Sequence, residues 1–458
     1  MRLKQGGMLQ GPLLPSILRY TIPIILTSVL QLLFNAADLV VVGQYRGSVA
    51  LAAVGATGAI TNLIVNLFIG LSVGAGVCVA HGIGSRNEDA VHRTVHTALP
   101  AAAVSGLVLT VVGVSMAKIF LTWMGTPEEI LALSTKYMQI YFAGMTFNML
   151  YNFCAAILRA AGDTKSPLIY LSIAGVLNVG LNFLFVAVFG MNVEGVALAT
   201  ALSQGVSAVL VLMALMRRSD ACRLELKKLH FYKPQLLKMV RIGLPAGVQG
   251  SLFSISNVLI QSSINSFGSV VMSGNAASGN IEGFVYVTQN AFHQTAVNFI
   301  GQNVGANQYQ RVKKILWTCL ACVGVAGLTL GLTVRLLGSP LLGIYINDSQ
   351  EAIAYGLTRM TYICIPYLLC GLMDVSTGAL RGMGASFEPM IISVLGVCGI
   401  RILWVYTIFQ IPQYHTPQCL YSSYTVSWTV TFLCQLAMFF VLYRRMTRKT
   451  LPTTGGSL

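Results

Sequence analysis

A charged side chain inside an apolar run costs roughly 2.5–3.5 kcal/mol on insertion scales, so each one in this chain asks for a chemical reason. Asp38, in LLFNAADLVVVG, is the first, with Asn35 one turn earlier on the same helical face. A carboxylate there can take up and release a proton, or bind Na⁺ with the help of neutral oxygens. Asn178 and Asn182 share one helix face in GVLNVGLNFLF, and Thr200 lies in GVALATALSQG. Their amide and hydroxyl oxygens suit a hard cation beside Asp38, although each alone is equally an interhelical hydrogen bonder worth about 0.6 kcal/mol. Further on, Glu282 and Asp374 are second-half candidates for the same work, and His293, on roughly the face of Glu282, is either a proton relay or a satisfied polar side chain. Arg401, in GIRILWVY, is an intramembrane cation expected to keep one of these acids ionised.

Other chemistries find no support. The cysteines are scattered through apolar runs, and the close pair Cys319 and Cys322 has no second pair or histidines to complete a metal site. His92 and His96 have a metal-compatible spacing but no third ligand, and read as loop-end histidines. No nucleophile stands with its base, so an enzyme is not expected, nor is a cofactor. LRAAGDTKSP lacks the Gly-Lys pair of a phosphate loop, which argues against a nucleotide-driven pump. Tyr141, Tyr286 and Tyr367 are aromatic candidates for a cavity that takes flat or cationic substrates, with Asn35 and His293 beside them.

These residues must be held by membrane helices. The 458 residues are 55% hydrophobic and only 9% charged, far below the roughly 25% of a soluble domain. The net charge of +15 is spread over short gaps between apolar runs, with no continuous basic face for nucleic acid. LRAAGDTKSP at Leu158–Pro167 returns as LRGMGASFEP at Leu380–Pro389, 222 residues on. Pro23 and Asn35 meet Pro245 and Asn257 at the same offset, and Gly58 and Gly84 meet Gly279 and Gly305 one residue out of step. At about 20 apolar residues per span, helices fall near 15–42, 50–82, 93–119, 129–158, 167–190 and 194–216, and again near 236–265, 270–303, 312–338, 351–381, 389–411 and 418–443. The expectation is an all-α membrane protein of twelve transmembrane helices in two parallel six-helix repeats, since an even number brings both halves in from the same side.

Lysine and arginine set the orientation. Arg2, Lys4, Arg19, Arg86, Arg93, Arg159, Lys165, Arg311, Lys313, Lys314, Arg381, Arg444, Arg445, Arg448 and Lys449 fall on alternate gaps or at the termini. The positive-inside rule then places both termini in the cytoplasm of a multi-pass cell-membrane protein, with acid-rich pieces at 126–129 and 347–351 outside. The domains expected are a first lobe at 1–216, a basic cytoplasmic linker at 217–235, and a second lobe with a cytoplasmic tail at 236–458. Arg159 and Arg381 are expected to snorkel or cap carbonyls at their helix ends.

Pro23 with Asp38 in the first helix, LRAAGDTK after the fourth, GVALAT in the sixth and GQNVGA after the eighth resemble the multidrug and toxic compound extrusion family over nearly the whole chain. The resemblance implies two six-helix lobes around a central cleft, exporting organic cations in exchange for H⁺ or Na⁺. On it, Asp38 matches the family's first-helix acid, and Asn178, Asn182 and Thr200 match polar positions of an amino-lobe cation site. Asn182 stands where one branch carries aspartate, and the seventh span lacks the glutamate typical of Na⁺ coupling through the second lobe, which points to H⁺ or an amino-lobe cation. The implied partners are a small organic cation and membrane lipid, with a monomer sufficient for transport. The nearest rival is a flippase for a lipid-linked precursor, against which the interior acids argue.

Overall fold

The structure is a computed structural model that describes residues 8–346 and 349–450. Arg2 and Lys4, the start of the acid-rich piece at 347–351, and the end of the expected tail lie outside the described residues, as does the side chain of Lys449. The described residues form helices and no strand, as backbone that must satisfy its own hydrogen bonds in lipid requires.

The first half consists of α1 (Leu13–Gly84), α2 (Glu88–Trp123), α3 (Glu128–Ala143), α4 (Met145–Ala160), α5 (Lys165–Asn182) and α6 (Val193–Met216). The second consists of α7 (Lys233–Asn265), α8 (Ser269–Gly305), α9 (Tyr309–Leu336), α10 (Gly338–Gly343), α11 (Gln350–Arg359), α12 (Tyr367–Gly382), α13 (Phe387–Ser393), α14 (Ile400–Tyr406) and α15 (Pro417–Thr450). The 72-residue α1 turns at Gly47, where φ of 80° breaks the helical path, and so supplies two spans. α3 and α4 form one span bent by 46°, and α11 with α12 another bent by 41°. Wide π turns at Phe183–Val188 and Val394–Gly399 extend α5 and join α13 to α14, giving apolar spans Lys165–Val188 and Phe387–Gln410. α7 and α8 are long enough to cross, at 33 and 37 residues, but carry more polar side chains, among them Gln249, Asn257, Asn275, Glu282 and Gln289. Two sets of six spans result. On α2, Val104, Leu107, Val108 and Val111 are exposed on one helix face, an arrangement that lipid stabilises and water would not.

The duplication is visible in the backbone. Gly162 and Gly384, the glycines of the repeated motif, both take positive φ (90° and 86°) just past the ends of α4 and α12. In each copy the next turn closes the same way. Gly162 and Asp163 donate to the carbonyls of Arg159 and Leu158, and Gly384 and Ala385 donate to those of Arg381 and Leu380. The motif is a helix C-cap, with glycine where a side chain would be strained. Gly47 and Gly268 (φ 80° and 92°), and Arg86 and Asn307 (φ 54° and 57°), are further left-handed pairs at the same point of each half.

Contacts divide the chain between Ile255 and Ser256 into two compact units. The amino-terminal part of α7 belongs to the first unit because it crosses α1 at bare backbone. A methyl group on Gly74 would lie 2.2 Å from the Met239 carbonyl oxygen, and one on Gly247 would lie 2.1 Å from that of Leu67. Gly70 and Gly74 on one helix thus face Gly243 and Gly247 on the other, a small-residue crossing that substitutes close van der Waals contact for the missing hydrophobic drive. The segment leading into α7 is also fastened. Glu225 donates its backbone N–H to Nε2 of the fully buried His96 (3.1 Å), while Nδ1 of His96 bonds the His92 carbonyl (2.8 Å). His96 is therefore the clasp for the basic linker and not a loop-end side chain; the hydrogen-bond partner it serves lies far away in sequence. We expect Gly74→Leu to lower the stability of the solubilised protein by about 1–3 kcal/mol through overpacking, read as a drop in thermal unfolding midpoint.

Candidate functional site

Asp38 sits in the first span of α1, which runs through Pro23 without a break and carries hydroxyl-to-carbonyl bonds on either side of it. Thr27 Oγ1 donates to the Pro23 carbonyl and Thr21 Oγ1 to that of Ile17, each at 2.7 Å. Opposite it runs α5, able to come close because Gly175 presents no side chain to Phe34; a methyl group there would lie 1.7 Å from the ring. This approach delivers Asn178 and Asn182. Immediately beyond them, Arg46 Nη2 donates to the Val186 carbonyl in the wide turn (2.6 Å), tying the corner between the first two spans to the end of α5.

The result is a connected polar cluster. Asn182 Nδ2 donates to Asp38 Oδ1 through a short hydrogen bond, and also to Asn178 Oδ1 at 3.2 Å. Thr200 Oγ1, on α6, donates to Asp38 Oδ2 at 3.3 Å and accepts from Asn178 Nδ2 at 3.4 Å. Asp38 is 8% exposed and Asn182 fully buried. No basic residue is within ion-pair distance of Asp38 among the described residues. Asn182 Oδ1 is buried with no hydrogen-bond partner, a free oxygen beside the carboxylate. Tyr141 stacks on Tyr137, with 6.0 Å between ring centres. Asn35 is not part of this cluster: its side chain is exposed, because the helix turns it away while Asp38 points inward.

In the second unit the acids are separated. Glu282 on α8 pairs with Arg359 Nη2 at 2.6 Å, with side-chain exposures of only 13% and 10%. Arg359 Nη1 also donates to Asn275 Oδ1 (2.5 Å), which accepts from the Tyr421 hydroxyl as well (3.2 Å). Arg401, expected as the partner of an acid, is not one. It bonds Ser427 Oγ at 3.2 Å and lies over the rings of Tyr424 and Trp428. Arg359 takes the role instead. It was overlooked in the sequence although it falls inside the span expected at 351–381, where the rarity of intramembrane charge was the available signal.

Asp374 is grouped with Arg381 and His293. His293 Nδ1 bonds the Asp374 carbonyl oxygen at 2.7 Å, Arg381 Nη1 lies 3.3 Å from His293 Nε2, and Asp374 and Arg381 stand about two turns apart on α12. Arg381 is 7% exposed, so it does not snorkel to the helix end; an inward acid and a ring nitrogen replace water as its surroundings. His293 is correspondingly turned to Asp374 and away from Glu282. Tyr367 is buried against Trp428 (5.2 Å between ring centres), whereas Tyr286 is exposed.

Two six-span halves, each with one bent span and with intramembrane charges grouped inside, have the make-up of a membrane transporter. The MatE family model matches residues 23–184 and 245–407, two stretches whose starts are 222 residues apart, and the chain belongs to that family. Probable multidrug resistance protein YoeA of Bacillus subtilis is 25% identical over 391 residues, covering 84% of each chain. Multidrug export protein MepA of Staphylococcus aureus is 21% identical over 449 residues, covering 97% of each. Among solved structures, a MOP superfamily transporter from Pyrococcus furiosus superposes with a TM-score of 0.90 at 19% identity, over 98% of this chain and 100% of that one. The Vibrio cholerae MATE transporter VcmN in its bent form gives 0.85 at 18% identity, over 94% and 97%.

Arg359→Met should cost about 3–5 kcal/mol by leaving Glu282 charged and alone, and Glu282→Met with Arg359→Met should recover most of it. Thermal unfolding of the two variants in detergent checks the ordering.

Proposed function

We propose that this protein is a secondary antiporter that exports organic cations or other amphipathic drugs in exchange for H⁺ or Na⁺, with Asp38 as the coupling residue. One observation carries the proposal: Asp38 is buried among neutral donors with no counter-charge within ion-pair distance among the described residues. An acid held by arginine would stay ionised throughout, whereas an acid held by one amide and one hydroxyl can be neutralised by a particle that comes and goes. A proton on either carboxylate oxygen does this at once. For Na⁺, the Asp38 carboxylate, Asn182 Oδ1, Asn178 Oδ1 and Thr200 Oγ1 offer the all-oxygen set that a hard cation takes. The names of YoeA and MepA support drugs as the exported class.

Neutralising Asp38 weakens what Asn182 and Thr200 gain from bonding an anion, since hydrogen bonds to a charged acceptor are about twice as strong as neutral ones. The cluster joins α1, α5 and α6, so binding or release of the ion changes how firmly three helices hold together. Export then requires that one packing of these helices bind substrate better than the other. One charge crossing 100 mV supplies about 2.3 kcal/mol, enough to sustain a substrate gradient of roughly 45-fold. On this reading the positive-inside distribution of lysine and arginine sets both termini and the 217–235 linker in the cytoplasm, and a single chain suffices for the path.

The test is efflux of a fluorescent organic cation from vesicles holding the purified protein, with a proton or a Na⁺ gradient imposed separately. Gradient-driven efflux in the wild type should fall by at least about tenfold in Asp38→Asn, as loss of an interaction worth one charge-assisted hydrogen bond or more implies. The gradient that drives it names the ion. Undiminished gradient-driven efflux from Asp38→Asn would sink the coupling role.

A further inference from the structure

The linker between the halves is fastened down with apolar side chains outward. Three of its backbone N–H groups turn to α2: Glu225 donates to His96 Nε2 (3.1 Å), His230 to the His96 carbonyl (3.3 Å) and Tyr232 to Thr97 Oγ1 (3.2 Å). The Arg93 guanidinium lies over the Tyr232 ring at 5.6 Å and closes that side. Cys222 and Leu224 are buried, but Leu226, Leu229 and Phe231, in the stretch so fastened, are exposed. The exposure continues into the first turns of α7, where Leu237 is 59% exposed and shares a helix face with Lys233 and Arg241, four residues to either side.

Basic side chains alternate with these apolar ones. Lys227, Lys233, Lys238 and Arg241 are exposed and have no ion-pair partner among the described residues, whereas Lys228 is taken by Glu225 at 2.9 Å. Water solvates the lysines and gains nothing from the leucines; hydrocarbon does the reverse. The boundary between the two satisfies both, with amines among the headgroups and apolar side chains at the top of the acyl layer. The strip lies where that boundary is, since it joins the end of α6 at Met216 to the start of α7 at Lys233.

We propose that residues 226–241 form a docking strip for anionic phospholipid, with the lysines on the headgroup phosphates and the leucines and Phe231 against the upper acyl chains. A zwitterionic headgroup sets its own ammonium against its phosphate, so a strip with uncompensated positive charge selects lipids of net negative charge. The proposal needs neither Asp38 nor transport, only a chain that spans a membrane.

Phe231→Trp puts a fluorescent reporter into the strip. The full-length variant is reconstituted in phosphatidylcholine vesicles containing either phosphatidylglycerol or phosphatidylcholine brominated near the top of the acyl chains, at equal mole fraction. Quenching of the added indole, read as the difference from the wild type with its four native tryptophans, should be stronger with the brominated phosphatidylglycerol. Lys227→Gln, Lys233→Gln and Lys238→Gln together should lower that preference at least about fivefold, the worth of one basic residue at an anionic surface. Salt at about 1 M should erode it in the protein that keeps its lysines, because screening shortens the reach of charge to about 3 Å. A second readout needs no reporter: in neutral detergent the wild type should retain phosphatidylglycerol over phosphatidylcholine by native mass spectrometry, and the triple lysine variant should lose the preference. Equal quenching by the two lipids, or a preference that the lysine substitutions leave intact in both readouts, would overturn the proposal. An indole quenched by acrylamide from the water and by neither lipid would leave the strip open to a soluble acidic partner and overturn it as well.

Discussion

Within the hydrocarbon of a membrane no water is at hand to neutralise a charge, so every buried ionisable group must find its answer inside the protein or in a ligand. The distribution of these answers orders this structure. Glu282 has Arg359, whose far side is held by Asn275 and the Tyr421 ring. Asp374 and Arg381 share α12, and His293 on α8 bonds the Asp374 carbonyl and lies against the Arg381 guanidinium. Among the described residues Asp38 and Arg401 have no ion-pair partner, and the groups that hold them are neutral. Paired charges fix geometry, while an unpaired charge is sensitive to whatever ion or ligand comes to it. Asp38 is accordingly where we place coupling.

Holding an unpaired carboxylate requires that neutral groups approach it closely, and the chain achieves this by omission. Gly175 lets α5 lie against Phe34, and the wide turn at Phe183–Val188 follows directly after Asn182. Arg46, bonded to Val186, secures that turn from the corner where α1 breaks. The same economy operates between α1 and α7, where four glycines bring backbones into contact across the sequence boundary of the halves. Such crossings suit helices that must repack, since van der Waals contact between small residues has no charge or hydrogen bond to break.

Duplication supplied the frame and divergence supplied the chemistry. The left-handed positions that end and turn helices recur in both halves, at Gly47 and Gly268, Arg86 and Asn307, and Gly162 and Gly384. None of the interior acids recurs in this way. Asn257, the counterpart of Asn35 by offset, lies beside Arg401, while Asn35 itself is exposed and belongs to no cluster. A backbone scaffold can be copied because caps depend on local conformation, but a charged group needs partners from several helices, and those change independently.

The sequence by itself determined the spans, the repeat and the grouping of Asp38 with Asn178, Asn182 and Thr200. Apolar length, glycine position and a four-residue spacing are local signals, and resemblance joined the last three residues to Asp38. It did not determine which arginine meets which acid. Arg401 and Arg359 both read as intramembrane cations, and only the packing of α11 against α8, and of α14 against α15, decided that one is neutralised by Glu282 and the other is cushioned by Tyr424 and Trp428. His96 likewise reads as an end-of-helix histidine until the linker folds back on it. Pairing between helices distant in sequence depends on rotation about each helix axis, which small residues and kinks set collectively, and no single stretch of sequence carries it.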